Sequence, residues 1–226
     1  MRNLFRDREQ AGQLLADALN KYANRNDVIV LGLPRGGVPV AFEVAHQLNA
    51  PLDVFVVRKL GVPGHRELAL GAIATGGVRV LNDEVIEELG LSQLTIDAIA
   101  AEEQKELARR ELAYRGPHTS PTIRRKTVIL VDDGIATGST MRAAVRAVQL
   151  QQPARVVVAV PTAAPSAYAQ LKREADEIIA LMTPEDFYAV GKWYENFFQV
   201  TDEEVTYLLA TAGHGPELRS VVHQTS

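Results

Sequence analysis

Two adjacent acids, Asp132 and Asp133, close the apolar run VILV and are followed at once by GIATGST, residues 134–140. Ionised carboxylates about 4 Å apart repel by about 4 kcal/mol at an effective dielectric near 20. In a regular strand the two side chains face opposite ways, which lowers that figure. An acid pair at a strand end still calls for hydroxyl donors, a basic residue or a cation close by. The turn supplies a second chemistry. Gly134 and Gly138 let backbone approach a ligand closely, and the amides of Ala136, Thr137, Gly138, Ser139 and Thr140 can form an anion cradle at a helix N-terminus. The hydroxyls of Thr137, Ser139 and Thr140 add donors without bulk. A sugar phosphate meets both needs, with ribose hydroxyls for the acids and phosphate for the loop. The alternative for the acids alone is that they form a turn and cap the helix, as acids often do.

The two best-known phosphate loops do not fit. A Walker loop needs four residues between its glycines and then Gly-Lys, whereas three separate Gly134 from Gly138 and no lysine follows. The dinucleotide pattern G-x-G-x-x-G is also absent around this strand. A second glycine loop, GLPRGGVPVA, follows the apolar run 28–33. Its Gly36 and Gly37 expose amides beside Arg35 and suit a pyrophosphate, with an ordinary strand-to-helix turn as the alternative. Arg58 and Lys59 stand at the exit of the apolar run Leu52–Val57, where they could hold an anion or make a structural ion pair.

These loops need a frame, and the alternation of elements supplies one. Apolar residues at helical spacing predict a helix over Arg6–Asn24. A strand is expected at Val28–Leu33, a helix at Val38–Leu48 and a strand at Leu52–Val57. Leu68–Leu81, with Gly71 and a Gly76-Gly77 turn, reads as a β-hairpin. A long helix capped by Ser92 is expected to Tyr114. After the signature strand and its helix come a strand at Arg155–Pro161, a helix at Ser166–Arg173 and a strand at Glu177–Met182. Repeated β-α units imply a parallel sheet with right-handed crossovers, flanked by helices. In such sheets ligands bind beyond the carboxyl ends of the strands, where the two glycine loops fall.

Whole-chain properties exclude several classes. At 226 residues and 46 % hydrophobic content the chain can bury a full core, as one domain over residues 1–212 with a mobile tail expected over 213–226. It has no cysteine, so disulfides, thiolate metal sites and cysteine nucleophiles are ruled out. The five histidines are scattered and form no zinc-type pair. A net charge of −4 without a basic stripe argues against general nucleic-acid binding, and no DNA partner is expected. No apolar run approaches the ~20 residues of a membrane helix. The charged N-terminal residues do not resemble a secretory signal. A soluble cytoplasmic protein is the expectation.

VILVDDGIATGST closely resembles the phosphoribosyl diphosphate (PRPP) signature of the type I phosphoribosyltransferases, and the resemblance extends to about Leu209. It implies a Rossmann-like α/β fold with a flexible hairpin hood at about 59–82 and an acceptor-side region at about 183–210. By this resemblance Asp132 and Asp133 would bind the ribose hydroxyls and act in catalysis, residues 136–140 would hold the 5-phosphate, and Arg35, Gly36, Gly37, Arg58 and Lys59 would meet the diphosphate. The loop at Arg35 often carries a strained or cis peptide in this family. His65, Arg66 and Glu67 would lie in the hood. Mg²⁺ is implied as cofactor, bound mostly through PRPP and water with Asp132 and Asp133 as contributors. A homodimer is a further family expectation.

Residues 187–198 hold six of the thirteen aromatic side chains, including the only tryptophan. Some of these are core; others could stack a flat acceptor, each for about 1 kcal/mol. Phe187, Tyr188, Trp193 and Tyr194 are the acceptor-side candidates. The string YAVGKWYENF resembles a poorly characterised stand-alone group within the family, and the base-binding patterns of the adenine, hypoxanthine-guanine, uracil and orotate enzymes are absent. The expected activity is therefore transfer of the 5-phosphoribosyl group of PRPP to a small nitrogenous acceptor, with release of pyrophosphate. The alternatives are a PRPP-binding regulator without catalysis and a hydrolase in which water is the acceptor.

Overall fold

Apolar strands with both faces covered need helices on two sides, and the computed structural model, which describes residues 4–62, 65–116 and 118–213, builds that arrangement. Strands β1 (Val28–Gly32), β2 (Leu52–Val54), β6 (Thr127–Val131), β7 (Arg155–Thr162) and β8 (Glu177–Met182) form one parallel sheet in the order β2-β1-β6-β7-β8. Helices α1 (Arg8–Ala18) and α2 (Gly37–Leu48) cover one face. Their Leu15, Ala16, Val40 and Val44 pack on Val28, Val30, Ile129 and Val157. Helices α5 (Ser139–Gln149) and α6 (Pro165–Glu174) cover the other, where Met141, Val145, Val148 and Leu171 meet Ile29, Leu31, Leu130 and Val158. Alternate residues of each strand thus serve opposite layers, and β1 and β6 are buried throughout.

A second, antiparallel sheet is formed by β3 (Val57–Val62), β4 (His65–Ala74) and β5 (Val78–Leu81). It packs against α3 (Asp83–Glu88) and the long α4 (Gln93–Arg115) through Leu60, Val62, Leu70, Ile73, Ile96 and Ala100. Ser92 caps α4, its Oγ accepting from the Thr95 amide at 3.2 Å. The expected hairpin is therefore present as β4–β5, turned through Gly76 and Gly77 at φ +84° and +71°, angles that glycine adopts without steric cost. A 3₁₀ turn at Val190–Trp193 and helix α7 (Asp202–Gly213) complete the described chain.

Three expectations need correction. The strand expected at Leu52–Val57 is divided: β2 ends at Val54, Phe55 and Val56 cross between sheets, and Val57 opens β3. Val54, Phe55 and Val56 are buried and Val57 partly so, all four apolar, so hydropathy shows no seam there. Arg58 and Lys59 consequently lie within β3 rather than in a loop. Helix α3 has no counterpart among the expected elements, and no buried residue in it to make a periodic pattern. The helix expected to Asn24 ends at Ala18 and continues as a 3₁₀ turn, Asn20–Tyr22. Residues 214–226, most of the expected tail, and the side chains of His65, Arg66 and Glu67 lie outside the described residues.

Candidate active site at the switch point of the sheet

Strand order places the site. From β1 the chain crosses to β2 on one side, and later returns to lay β6 on the other. The carboxyl ends of β1 and β6 therefore lie side by side with their loops diverging, with Gly32 paired in register with Val131. This is the crevice where open α/β sheets receive ligands. It brings together the loop at Arg35–Gly37, the acids Asp132 and Asp133, and the turn 134–138 that enters α5.

Close packing between the two loops demands glycine. A Cβ at Gly36 would overlap the Asp133 carboxylate, and one at Gly37 would stand 2.7 Å from the Val131 carbonyl oxygen and 2.8 Å from Asp132 Cα. These two glycines thus open the loop and also admit the acids. The Pro34–Arg35 peptide is cis, as the resemblance anticipates for this loop, and the Arg35 side chain is exposed. On the other loop, Gly138 at φ +77° turns the chain into α5. Ala136, Thr137, Ser139 and Thr140 are exposed around it. The first-turn amides of a helix have no intrahelical acceptor, so this exposed end presents donors and a positive dipole to an anion.

The acids are held tightly. Asp132 Oδ1 accepts from the Asp133 amide at 2.9 Å. The Asp133 carbonyl accepts from the Tyr194 hydroxyl at 2.6 Å. Its carboxylate is paired with Arg8, whose Nε and NH2 stand 2.9 and 2.8 Å from the same oxygen, Oδ2. Burial pushes the Asp132 carboxyl well above its ordinary range, and the neighbouring charge on Asp133 adds to that. Burial also raises Asp133, with Arg8 opposing. The Tyr194 hydroxyl is raised by burial and by the charge on Asp133, so it is a neutral donor.

Two connected cavities open here. One of about 410 Å³ is lined by Arg8, Arg35, Gly36, Asp133, Phe197 and Phe198, among others. A larger one of about 840 Å³ runs between α1, α2 and α7, and shares Arg8, Phe198, Gln199 and Val200 with the first. The aromatic candidates separate by burial. Trp193 and Tyr194 are 7 % and 5 % exposed and pack with Phe5 and Ala11, with Phe187 against that cluster. None of these three lines either cavity. Tyr188 is 82 % exposed and lies outside both cavities as well. From the same run, Phe197 and Phe198 line the smaller cavity, and Phe198 joins Phe42 and Tyr207 along the larger one.

Arg58 is also placed differently from a loop cation. In β3 its guanidinium meets Glu103 of α4 at 2.6 Å, and Lys59 is exposed on the same strand. Arg8 is the residue that sequence reasoning did not single out. It lies 125 positions from Asp133, and only the general need of a strand-end acid pair for a nearby cation pointed toward it.

Fold and switch-point loops together define an α/β domain of the type I phosphoribosyltransferase class. The chain belongs to the phosphoribosyltransferase family: residues 5–190 match the phosphoribosyl transferase domain. It is 47 % identical over 209 residues to proteins from two Mycobacterium tuberculosis strains, each provisionally named a phosphoribosyl transferase. That match covers 92 % of this chain and 47 % of theirs, so the chain spans about half the length of these curated relatives. Among solved structures, TT1426 from Thermus thermophilus is 46 % identical, with a TM-score of 0.83 over 93 % of this chain and 99 % of that one. A hypothetical protein from Neisseria gonorrhoeae, solved with bound ppGpp, shares the fold at a TM-score of 0.51 and 14 % identity, over 93 % of this chain and 97 % of its own. No helix among the described residues is long and apolar enough to cross a membrane.

Proposed function

We propose that this protein binds PRPP at the switch point and transfers its 5-phosphoribosyl group to a small nitrogenous acceptor, releasing pyrophosphate. The observation that carries this reading is the meeting of three unlike parts in one crevice: an exposed helix N-terminus, an acid pair, and a glycine loop beside Arg35. Each suits one piece of PRPP. The amides and hydroxyls of residues 136–140 hold the 5-phosphate. Asp132 and Asp133 accept hydrogen bonds from the ribose hydroxyls. The amides of Gly36 and Gly37, with Arg35, receive the diphosphate, and Lys59 approaches from the hood. As the C1–O bond to diphosphate breaks and the C1–N bond forms, positive charge grows on the ribose and negative charge on the leaving group. The carboxylates face the first and the Arg35 loop the second, both in place beforehand, which is the arrangement that lowers a barrier electrostatically.

The donor set suits Mg²⁺ in part. Two carboxylates are hard oxygen ligands, but among the described residues no third acid or histidine joins them in a metal-binding cluster. The ion would therefore be held largely by substrate oxygens, with Asp132 or Asp133 contributing. Bound there, it would neutralise charge on the departing diphosphate.

Titration calorimetry with PRPP, with and without Mg²⁺, tests the site, and product analysis over a panel of nucleobases tests the reaction. Micromolar PRPP binding and a ribosylated product are expected. Binding without turnover on any acceptor would favour a regulator, free ribose 5-phosphate would favour a hydrolase, and absence of PRPP binding would sink the reading.

A further inference from the structure

Arg8 is in an unfavourable place for a cation. It is the first residue of α1, at the positive end of the helix dipole, directly after the cap Asp7. Its side chain is nevertheless only 12 % exposed, with all three of its nitrogens engaged. Both donors aimed at Asp133 converge on Oδ2, while NH1 donates to the Phe198 carbonyl at 2.7 Å. The guanidinium carbon lies 3.9 Å from the centre of the Phe197 ring, a cation–π contact. Oδ1 of Asp133 is left outside the grip of Arg8, and the side chain lines the cavity.

Neighbouring backbone fixes this arrangement. The Phe5 amide donates to the Trp193 carbonyl, and the amides of Glu195 and Asn196 donate to the carbonyls of Phe5 and Arg6. The N-terminal segment is thus laced to residues 193–196. Behind the acid, the Gly36 position leaves Asp133 room and Tyr194 holds its carbonyl.

We propose that Arg8 is a positioning residue for Asp133: it grips one carboxylate oxygen, leaves the other for the ribose diol, and joins the acid to the Phe197–Phe198 wall of the cavity. Arg8 itself makes no contact with PRPP in this assignment, which rests on the phosphoribosyl reading above. Without it, Asp133 is free to turn and the wall loses its anchor. A lysine at this place would restore charge but not three directed donors.

The assignment separates ligands with a diol from those without. Calorimetry would compare the parent with Arg8→Gln, Arg8→Lys, Asp133→Asn and the Arg8→Gln/Asp133→Asn double variant, using PRPP, ribose 5-phosphate and inorganic pyrophosphate as probes. Arg8→Gln should weaken PRPP and ribose 5-phosphate by about tenfold or more, the scale of one charge-assisted hydrogen bond, and leave pyrophosphate within about twofold. Arg8→Lys should fall between parent and Arg8→Gln, and thermal unfolding of each variant identifies any that fail to fold. If Arg8→Gln does not fold, the Arg8→Lys comparison across the three probes decides. The double variant should bind PRPP no worse than Asp133→Asn, because both changes remove one interaction. Equal weakening of all three probes, additive losses, or unchanged PRPP binding in a folded Arg8 variant would overturn the assignment while leaving the PRPP site standing. A parent that binds no PRPP would remove the phosphoribosyl reading and this assignment with it.

Discussion

Two arginine–aspartate pairs are buried to a similar depth in this molecule, yet their surroundings differ. In the first, Arg115 stands at the last turn of α4, where a cation is favoured by the helix dipole. Its Nε is 2.9 Å from both oxygens of Asp53, while NH1 meets Glu111 and NH2 donates to the Val54 carbonyl. Asp53 Oδ1 also accepts from the Val54 amide at 2.7 Å. Both oxygens are used. In the second, Arg8 sits at the wrong end of its helix and takes only one oxygen of Asp133, leaving the other outside its grip. Burial raises both aspartates and the arginines oppose it. A pair satisfied on every side cements the fold. A pair with one oxygen outside the arginine's grip, beside a cavity, suits the ribose-positioning role proposed above.

The sharpest break in that comparison is Arg115→Ala. Removing one partner strands a buried carboxylate, and the expected cost is about 3–5 kcal/mol of stability, read from the denaturant midpoint, with PRPP affinity retained well below the unfolding temperature. Asp133→Asn should do the reverse. It should lose about 2–4 kcal/mol of transition-state stabilisation, seen as a fall in kcat once an acceptor is in hand, with a far smaller move of the midpoint. Equal effects of the two changes on stability would erase the distinction. Gly36→Ala sharpens it from the other side. The new methyl displaces the Asp133 carboxylate at a cost of about 1–3 kcal/mol, and PRPP titration should show it as weaker binding by a folded protein.

The smallest effect belongs to a pair with no buried partner. Glu106 accepts from Arg109 and Arg110 on exposed α4 and is held at about 2 by those hydrogen bonds. A carboxyl lowered in the folded state stabilises above its ordinary value and loses that contribution as pH falls. Glu106→Gln should therefore lower the melting midpoint slightly at neutral pH, and the difference from the parent should vanish as pH falls from about 4.5 to about 2. A difference that grew on acidification would contradict this sign.

Legibility in the sequence followed the range of the interactions. Strands β1, β6 and β7 were readable because burial on both faces writes an unbroken apolar run, the half-buried edge strand β8 because its centre is apolar, and the two glycine loops because their chemistry lies within a dozen residues. Proximity of those loops followed from sheet topology. What failed was non-local. The run Leu52–Val57 shows no mark where one sheet hands over to another. Trp193 and Tyr194 look like stacking platforms in a string of aromatics, and only packing against Phe5 and Ala11 shows them as support. Phe197 and Phe198, from the same run, reach the cavities instead. Arg8 carries no local signature at all, since its meaning comes from an acid 125 positions away.

The lacing of residues 5 and 6 to residues 193–196 has a consequence for the growing chain. The acid that Arg8 grips is synthesised 125 positions after it. The tyrosine and aromatic wall that complete the grip follow some sixty positions after that. The five strands of the parallel sheet and the loop 134–138 all precede this closure in the chain. The grip on Asp133 therefore closes only after the sheet has been synthesised, and a chain halted before Tyr194 lacks the hydroxyl and the aromatic wall that complete it.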